Sequence, residues 1–313
     1  MARKKRGRPV HGWLVVDKPP GMTSTQVLGK VRWLFGAEKA GHGGTLDPIA
    51  TGVLPIAFGE ATKTVAYAMD GTKCYRFQAR WGEERSTDDR EGAVTATSER
   101  RPSEAEILAV LPQYTGEIEQ MPPQFSAIKV DGERAYDLAR AGETVDLESR
   151  RVRVDRLSLI AMPDADHADF EVVCGKGTYM RSLARDIGRA LGCLGHVETL
   201  RRLSVGRFTL DNAISLDELA ALEHGPALDT HLLPIETALD DIPALALTAV
   251  EADRLRQGQP VLLFRRQDLG RLEALADALG EDGLIVLATT AGRPVALTRL
   301  EGAELRPVRV LNI

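Results

Sequence analysis

The stretch Ala40–Lys63, AGHGGTLDPIATGVLPIAFGEATK, sets Gly41, Gly43 and Gly44 around His42, delivers one aspartate, Asp47, against Pro48, and then turns apolar. Gly52 to Phe58 carries no charge and reads as a strand buried on both faces, while Ala61 to Met69 reads as a short helix. Glycines ahead of Asp47 form a pliable loop that lets a bulky substrate approach the backbone, and Pro48 fixes the chain just beyond it. A carboxylate is ionised at neutral pH, so Asp47 is available as a nucleophile or base wherever something orients it. Asp followed by Pro is also ordinary turn chemistry. The residues of this stretch leave both readings open.

Outward from it, the chain alternates strand-like and helix-like segments. Trp13 to Val16 reads as a strand stopped by the Pro19, Pro20 and Gly21 turn. Thr23 or Ser24 caps a helix carrying Val27, Val31 and Leu34 at helical spacing, and Gly36 ends it. Lys73 to Trp81 alternates, with Tyr75, Phe77, Ala79 and Trp81 on one face and Arg76, Gln78 and Arg80 on the other. Ser103 with Glu106, and Ser215 with Glu218, form capping boxes. Strands are expected over Arg153–Leu159, over Asp169–Cys174 and within HVETLRRLSVGRF, with a helix from Thr178 to about Leu191. This is an α+β pattern. Between Ile118 and Val152 apolar periodicity fades into charges, prolines and an Asp131-Gly132 turn, as in a long functional excursion. From Leu245 onward short strands over Gly283–Ala288, Arg293–Leu297 and Arg306–Val310 point to a small separate β-rich domain.

A chain of 313 residues with 43% hydrophobic and 27% charged residues can bury a sizeable core. No run approaches the roughly 18 apolar residues of a membrane span, and MARKKRGRP lacks the apolar centre of a secretory signal, so a cytoplasmic location is expected. Cys74, Cys174 and Cys193 are odd in number and widely spaced, which suits neither a disulfide framework nor zinc ligation; no metal is expected. The net charge of −5 averages two unlike regions. Asp211 to Ile313 holds 17 acidic against 9 basic residues, leaving 28 acidic and 31 basic before it. Lys176 to Arg207 is sharply basic, through Lys176, Arg181, Arg185, Arg189, Arg201, Arg202 and Arg207. That run suits either a polyanion or a solvated helix face. Neither GHGG nor GEATKT has the spacing of a triphosphate-binding loop, and the nucleophile elbow G-x-S-x-G of a serine hydrolase is absent.

Four ordered segments then act together: DKPPGMTS at Asp17–Ser24, GHGGTLDPIATGVLP at Gly41–Pro55, KCYRFQARWG at Lys73–Gly82 and KGTYMRSLARDIG at Lys176–Gly188. With HVETLRRLSVGRF they resemble the bacterial tRNA pseudouridine-55 synthases of the TruB type, from about Gly12 to about Asp211, the remainder matching more loosely. The resemblance implies a pseudouridine synthase fold, with a mixed, mainly antiparallel central sheet flanked by helices and a small β-rich PUA-like C-terminal domain. It implies an isomerase that converts uridine 55 of the tRNA T loop from an N-glycoside to a C-glycoside by base flipping, without any cofactor. Carried onto this chain, Asp47 is the catalytic carboxylate, Arg181 its ion-pair partner and Tyr75 the base-stacking tyrosine, whose hydroxyl also serves a proton transfer. His42 matches the histidine inserted into the T loop, and Lys18, Lys63, Tyr179 and Leu200 match further pocket positions. Gly43 stands where many relatives have threonine, which removes any hydrogen bond from that side chain.

The expected organisation is a basic tail over 1–10, a catalytic domain over 11–244 with a thumb-like RNA-binding insertion at 118–152, and the PUA-like domain over 245–313. The expected partner is the tRNA T arm, bound by a monomer, with neither membrane nor metal. Two alternatives remain open, a non-catalytic protein that folds the T arm and a pseudouridine synthase with another RNA target. Asp47, Tyr75 and Arg181 together favour the enzyme over the first, and the absence of long basic extensions disfavours the second.

Overall fold

The computed structural model describes residues 7–126, 129–130, 133–134, 147–222, 226–263, 268, 270 and 283–313. The run Gly12–Lys18 (β1) shows why the fold needs two layers on one sheet. Its alternate residues Leu14 and Val16 enter one hydrophobic cluster, while Trp13 and Val15 enter another on the opposite face. Residues 51–58 behave in the same way: in Thr51–Phe58 (β3), Leu54, Ile56 and Phe58 face the first cluster and Val53 and Ala57 the second. Apolar burial on both faces explains why neither run alternates in polarity.

The main sheet has ten strands. Besides β1 and β3 it contains β2 (Ala40–His42), β4 (Lys73–Trp81), β5 (Gly116–Gln120), β6 (Arg150–Asp164), β7 (His167–Cys174), β8 (Gly195–Val205), β9 (Phe208–Thr209) and β10 (Ala213–Ser215). The order is β10-β1-β3-β8-β4-β7-β6-β5, with β2 on β3 and β9 on β8. Only β1–β10 and β3–β8 run parallel; the other neighbours are antiparallel, which makes the sheet mixed and mainly antiparallel, as expected.

Helix α1 (Ser24–Phe35) starts at the Thr23 capping box and stops at Gly36, whose φ of 57° is the left-handed conformation of a helix C-cap. Its Val27, Val31, Leu34 and Phe35 join Phe77 and Trp81 of β4, Phe170 of β7, and Leu183 and Ile187 of Met180–Ala190 (α2) in the larger cluster. The Ala61–Met69 segment divides into a 3-10 turn at Gly59–Thr64 and an α-helix at Val65–Asp70. The capping boxes at Ser103 and Ser215 are both present.

The strand expected within HVETLRRLSVGRF is β8, in the interior of the sheet between β3 and β4. One expectation changes. The excursion is shorter than its charge pattern suggests, because Gln120 to Glu117 pair with Arg150 to Arg153 and so both of its ends are strands of the main sheet. Its middle, residues 127–128, 131–132 and 135–146, lies outside the described residues. The described end of the basic tail is docked: Arg8 forks onto Asp229 at 2.6 and 2.9 Å, and Val10 is in the core.

A second, five-stranded sheet is formed by Ala244–Ala246, Val261–Leu262, Leu284–Thr290, Arg293–Glu301 and Glu304–Val310. The three expected C-terminal strands are present and longer than the sequence suggested, and a helix at Ala249–Arg256 joins them. Leu287, Leu297 and Leu311 pack with Trp13, Val53 and Phe208, so this sheet covers the second face of the first. None of the described helices is long and apolar enough to cross a membrane. All three cysteines are free.

Candidate active site

Asp47 sits on the connection from β2 to β3, and that connection is clamped. Ser24 Oγ accepts from Leu46 N at 2.8 Å and donates to Leu46 O at 3.0 Å, and Gly21 N donates to Pro48 O at 2.8 Å. Lys18, fully buried, donates its Nζ to the carbonyls of Pro19 (2.8 Å), Met22 (2.6 Å) and Pro48 (3.2 Å). Burial lowers the Lys18 pKa to about 8, while the Asp47 charge acts to raise it. The segment DKPPGMTS is thus the cradle of the Asp47 turn, and the loop is rigid where its glycines suggested pliability.

Glycine is required at one nearby position. Gly52 has φ 97°, and a Cβ there would lie 2.2 Å from the Arg202 carbonyl oxygen. This close approach lets β3 and β8 pair in parallel, Thr51 against Arg201 and Gly52 against Arg202.

Opposite the loop, the first turns of α2 carry Arg181, with its side chain 5% exposed. Its Nε is 3.0 Å from Asp47 Oδ2, and the Asp47 side chain is 35% exposed. The pair is a charge contact rather than an aligned hydrogen bond, since Arg181 Nε has no hydrogen-bond partner of good geometry. The rest of the guanidinium is fixed by the carbonyls of Thr87 (3.0 Å) and Phe125 (2.9 Å), with Asp89 Oδ2 at 3.7 Å. Asp89 is buried and held by Thr87 Oγ1 at 2.5 Å and Glu91 N at 3.0 Å. One turn along, Arg185 bridges Asp88 (2.9 Å), Asp186 (2.8 Å) and the Met121 carbonyl (2.9 Å). Burial raises the Asp88 pKa to about 6, with Arg185 opposing it.

Asp47, Tyr75, Tyr179, Arg181, Leu200 and Arg202 line one cavity of about 280 Å³. Its size is near the lower end for small-ligand pockets. Tyr75 projects from β4, directly across from Arg202 on β8. Burial raises the Tyr75 pKa, partly offset by Arg202, so its hydroxyl is neutral at rest. Tyr179 is fixed by Gln120, which donates to its carbonyl at 3.0 Å and accepts from its N–H at 2.8 Å. Desolvation likewise raises the Tyr179 pKa.

Five expected site residues therefore meet at the cavity, and three do not. Lys18 lies behind the loop as a buried clamp. His42, at the end of β2 opposite Ile56, is not on the cavity wall; its Nδ1 is buried without a hydrogen-bond partner, and desolvation, then Arg202, depresses its pKa, leaving it neutral. Lys63 is elsewhere: it donates to Glu60 at 2.6 Å and to the Val310 carbonyl at 2.7 Å, tying the main sheet to the last strand of the second.

Sequence reasoning missed Asp88, Asp89, Gln120 and the separate roles of the arginines. Arg181, Arg185 and Arg202 of the basic run are buried, so the run is not one external patch. Two adjacent acids in STDDREG before a glycine were the available signal, but an exposed turn would read identically.

Residues 32–180 match the TruB family pseudouridylate synthase N-terminal domain, and residues 181–240 match the tRNA pseudouridylate synthase B C-terminal domain. The chain belongs to the TruB family of pseudouridylate synthases. It is 57% identical over 311 residues to the tRNA pseudouridine synthase B of Gluconacetobacter diazotrophicus, covering 99% of this chain and all of that one. It is 53% identical over 313 residues to the tRNA pseudouridine synthase B of Rhodospirillum rubrum, with full coverage of both. Among solved structures, an H/ACA RNP bound to a substrate RNA containing 2′-deoxyuridine superposes with a TM-score of 0.71 at 22% identity, over all of this chain and 92% of that one. A Cbf5-Nop10-Gar1 complex gives 0.70 at 24%, over all of this chain and 91% of that one. At such identities these two likenesses speak to the fold, which is that of a pseudouridine synthase.

Proposed function

We propose that this protein is a tRNA pseudouridine synthase that isomerises uridine 55 in the T loop, with Asp47 as its catalytic carboxylate. The observation that carries the reading is the Asp47–Arg181 contact at 3.0 Å on the wall of a cavity that also holds Tyr75, Tyr179 and Leu200. Arg181 holds the carboxylate in one place, and the partly exposed Asp47 side chain faces the incoming sugar. Its relatives named tRNA pseudouridine synthase B support tRNA as the RNA.

In this reading the uridine leaves the T-loop stack and enters the cavity, where the Tyr75 ring and the Leu200 side chain take up its two faces. Stacking repays part of the unstacking penalty. Asp47 acts at the sugar, by attack at C1′ or by removing a sugar proton. The C1′–N1 bond breaks, the base turns, and C5 bonds to C1′. The proton lost from C5 is matched by the one gained at N1, so no external reagent is consumed. His42, neutral and at the end of β2 ahead of the Asp47 loop, fills the space vacated in the T loop. The 245–313 sheet and residues 118–152 extend contact along the T arm, and the protein acts as a cytoplasmic monomer. Lys63, bound between Glu60 and Val310, is left out of the pocket.

The test is incubation with an unmodified T-arm stem-loop, followed by mapping of pseudouridine through its chemical reactivity. Wild type converts position 55, and Asp47→Asn does not. Turnover by Asp47→Asn at the wild-type rate overturns the assignment, and tight binding with no product from wild type would support a tRNA-folding role instead.

A further inference from the structure

Arg201 and Arg202 are adjacent on β8, and strand alternation sends them to opposite environments. Arg201 is neutralised by a two-pronged contact with Asp17, at 2.7 and 3.0 Å. Arg202 is 1% exposed. It gives its Nε to the Val53 carbonyl at 2.7 Å and its second terminal nitrogen to the Gly44 carbonyl at 3.1 Å, and among the described residues no carboxylate comes within 4.0 Å of it. A buried guanidinium whose partners are neutral groups, the Val53 and Gly44 carbonyls and the Tyr75 hydroxyl, is held at an energetic disadvantage, and that arrangement is useful where negative charge develops later. Its field is felt around it: after burial, which is the main cause, Arg202 adds to the lowering at His42 and, more weakly, at Lys18, and it offsets part of the effect of burial on Tyr75. The cation is also anchored by its contacts. Its carbonyl is pressed against Gly52, and its head ties the start of the catalytic loop at Gly44 to β3 at Val53.

Asp47 is matched by Arg181 at 3.0 Å on the cavity wall, whereas Arg202, which lines the same cavity, has no such match among the described residues. We propose that Arg202 is the fixed positive charge that stabilises the uracil anion formed when the glycosidic bond breaks. The inference rests on the isomerase reading above. By either route at the sugar, the electron pair of the C1′–N1 bond stays with the base and spreads onto its two carbonyl oxygens. It returns to carbon when C5 bonds to C1′, which leaves the base neutral, and loss of the C5 proton with gain of one at N1 then restores the aromatic ring without net charge. A preorganised cation lowers the barrier during the interval when the base carries the charge.

Leaving-group acidity separates this role from mere support of the loop. T-arm stem-loops with uridine or 5-fluorouridine at the target position are given to wild type, Arg202→Lys and Arg202→Met, and loss of the N-glycosidic bond is followed in single turnover. Fluorine makes the departing base less basic and less dependent on help. Arg202→Met is expected to slow uridine cleavage about 100-fold and 5-fluorouridine cleavage only about 10-fold or less, on the scale of a lost oxyanion donor. Arg202→Lys, which keeps a cation, falls between. Equal slowing of both substrates would reduce Arg202 to a loop clamp and overturn the proposal. Should neither variant fold, wild type decides alone: its two rates are expected to lie within about threefold, well inside a single donor's effect. A strong wild-type preference for 5-fluorouridine would overturn the proposal. Failure of the isomerase reading itself would appear separately, as no pseudouridine from the uridine stem-loop with wild type.

Discussion

Lys18 and Pro48 are joined by a 3.2 Å hydrogen bond from a fully buried ammonium to the carbonyl immediately after Asp47. The same nitrogen holds Pro19 and Met22, so one cation links the first strand, the Pro19-Pro20-Gly21 turn and the catalytic loop. A motif lysine expected in the pocket thereby becomes the device that sets where the aspartate stands.

Lys18→Met keeps the stem and removes the three donated bonds. Unmatched buried carbonyls are expected to lower stability by about 1–3 kcal/mol. Loss of loop position is expected to reduce kcat by about 10–100-fold while KM changes little, because the clamp touches no substrate. Denaturant titration and steady-state kinetics on a T-arm stem-loop measure the two effects; a raised KM with unchanged kcat would return Lys18 to the pocket.

Lys63→Met breaks the tie to Val310 and leaves Glu60, which also accepts from Asn312 N at 2.8 Å. The expected result is unchanged kcat with faster hydrogen exchange over Val310–Asn312 and a slightly lower Tm. A large fall in kcat with no change in exchange would contradict the structural role assigned here.

Gly52→Ala places a Cβ against the Arg202 carbonyl in a backbone conformation that side chains avoid. We expect about 2–4 kcal/mol of destabilisation, together with loss of activity as β3 and β8 separate. Chemical denaturation reads the first, and a variant as stable as wild type would show that the pair relaxes freely.

Lys73 supplies a pH dependence. It lines the cavity and donates to the Met69 carbonyl and to the Gly71 carbonyl at 2.5 Å, and burial lowers its pKa to about 8. A lysine that loses its proton near pH 8 when folded, but near 10.5 when unfolded, lets the unfolded chain hold more protons between those values. Its contribution to stability therefore rises as pH rises through that window, by at most about 1.4 kcal/mol per pH unit. The unfolding free energy of wild type minus that of Lys73→Met should increase from pH 8 to 10.5, and a flat difference would show that the folded lysine keeps its ordinary affinity for the proton.

The strands and helices near the site were legible because their signals are local. Thr23 and Ser103 announce their helices through capping boxes, the uncharged Gly52–Phe58 run announces a doubly covered strand, and Tyr75 alternates with Phe77 and Trp81. The ordered motifs were enough to name Asp47, Arg181, Tyr75, Tyr179 and Leu200, and these share a cavity. Charge was the poor guide. A sequence counts Arg181, Arg185, Arg201 and Arg202 alike, yet Arg201 faces Asp17 across the sheet surface while the other three are buried, each with a partner on a distant segment, Thr87, Asp88 and Val53.

By itself, the sequence determined which segments pair with which kind of chemistry, because periodicity, caps and turn residues act over a few neighbours. Only the tertiary structure decided what each charge does. That Lys18 cages a loop, that Lys63 latches the second sheet, that Asp89 stands behind Arg181, and that Arg202 has no carboxylate among the described residues all depend on contacts between distant segments. In a low-dielectric interior, a group's protonation and reactivity follow from those contacts rather than from its residue type.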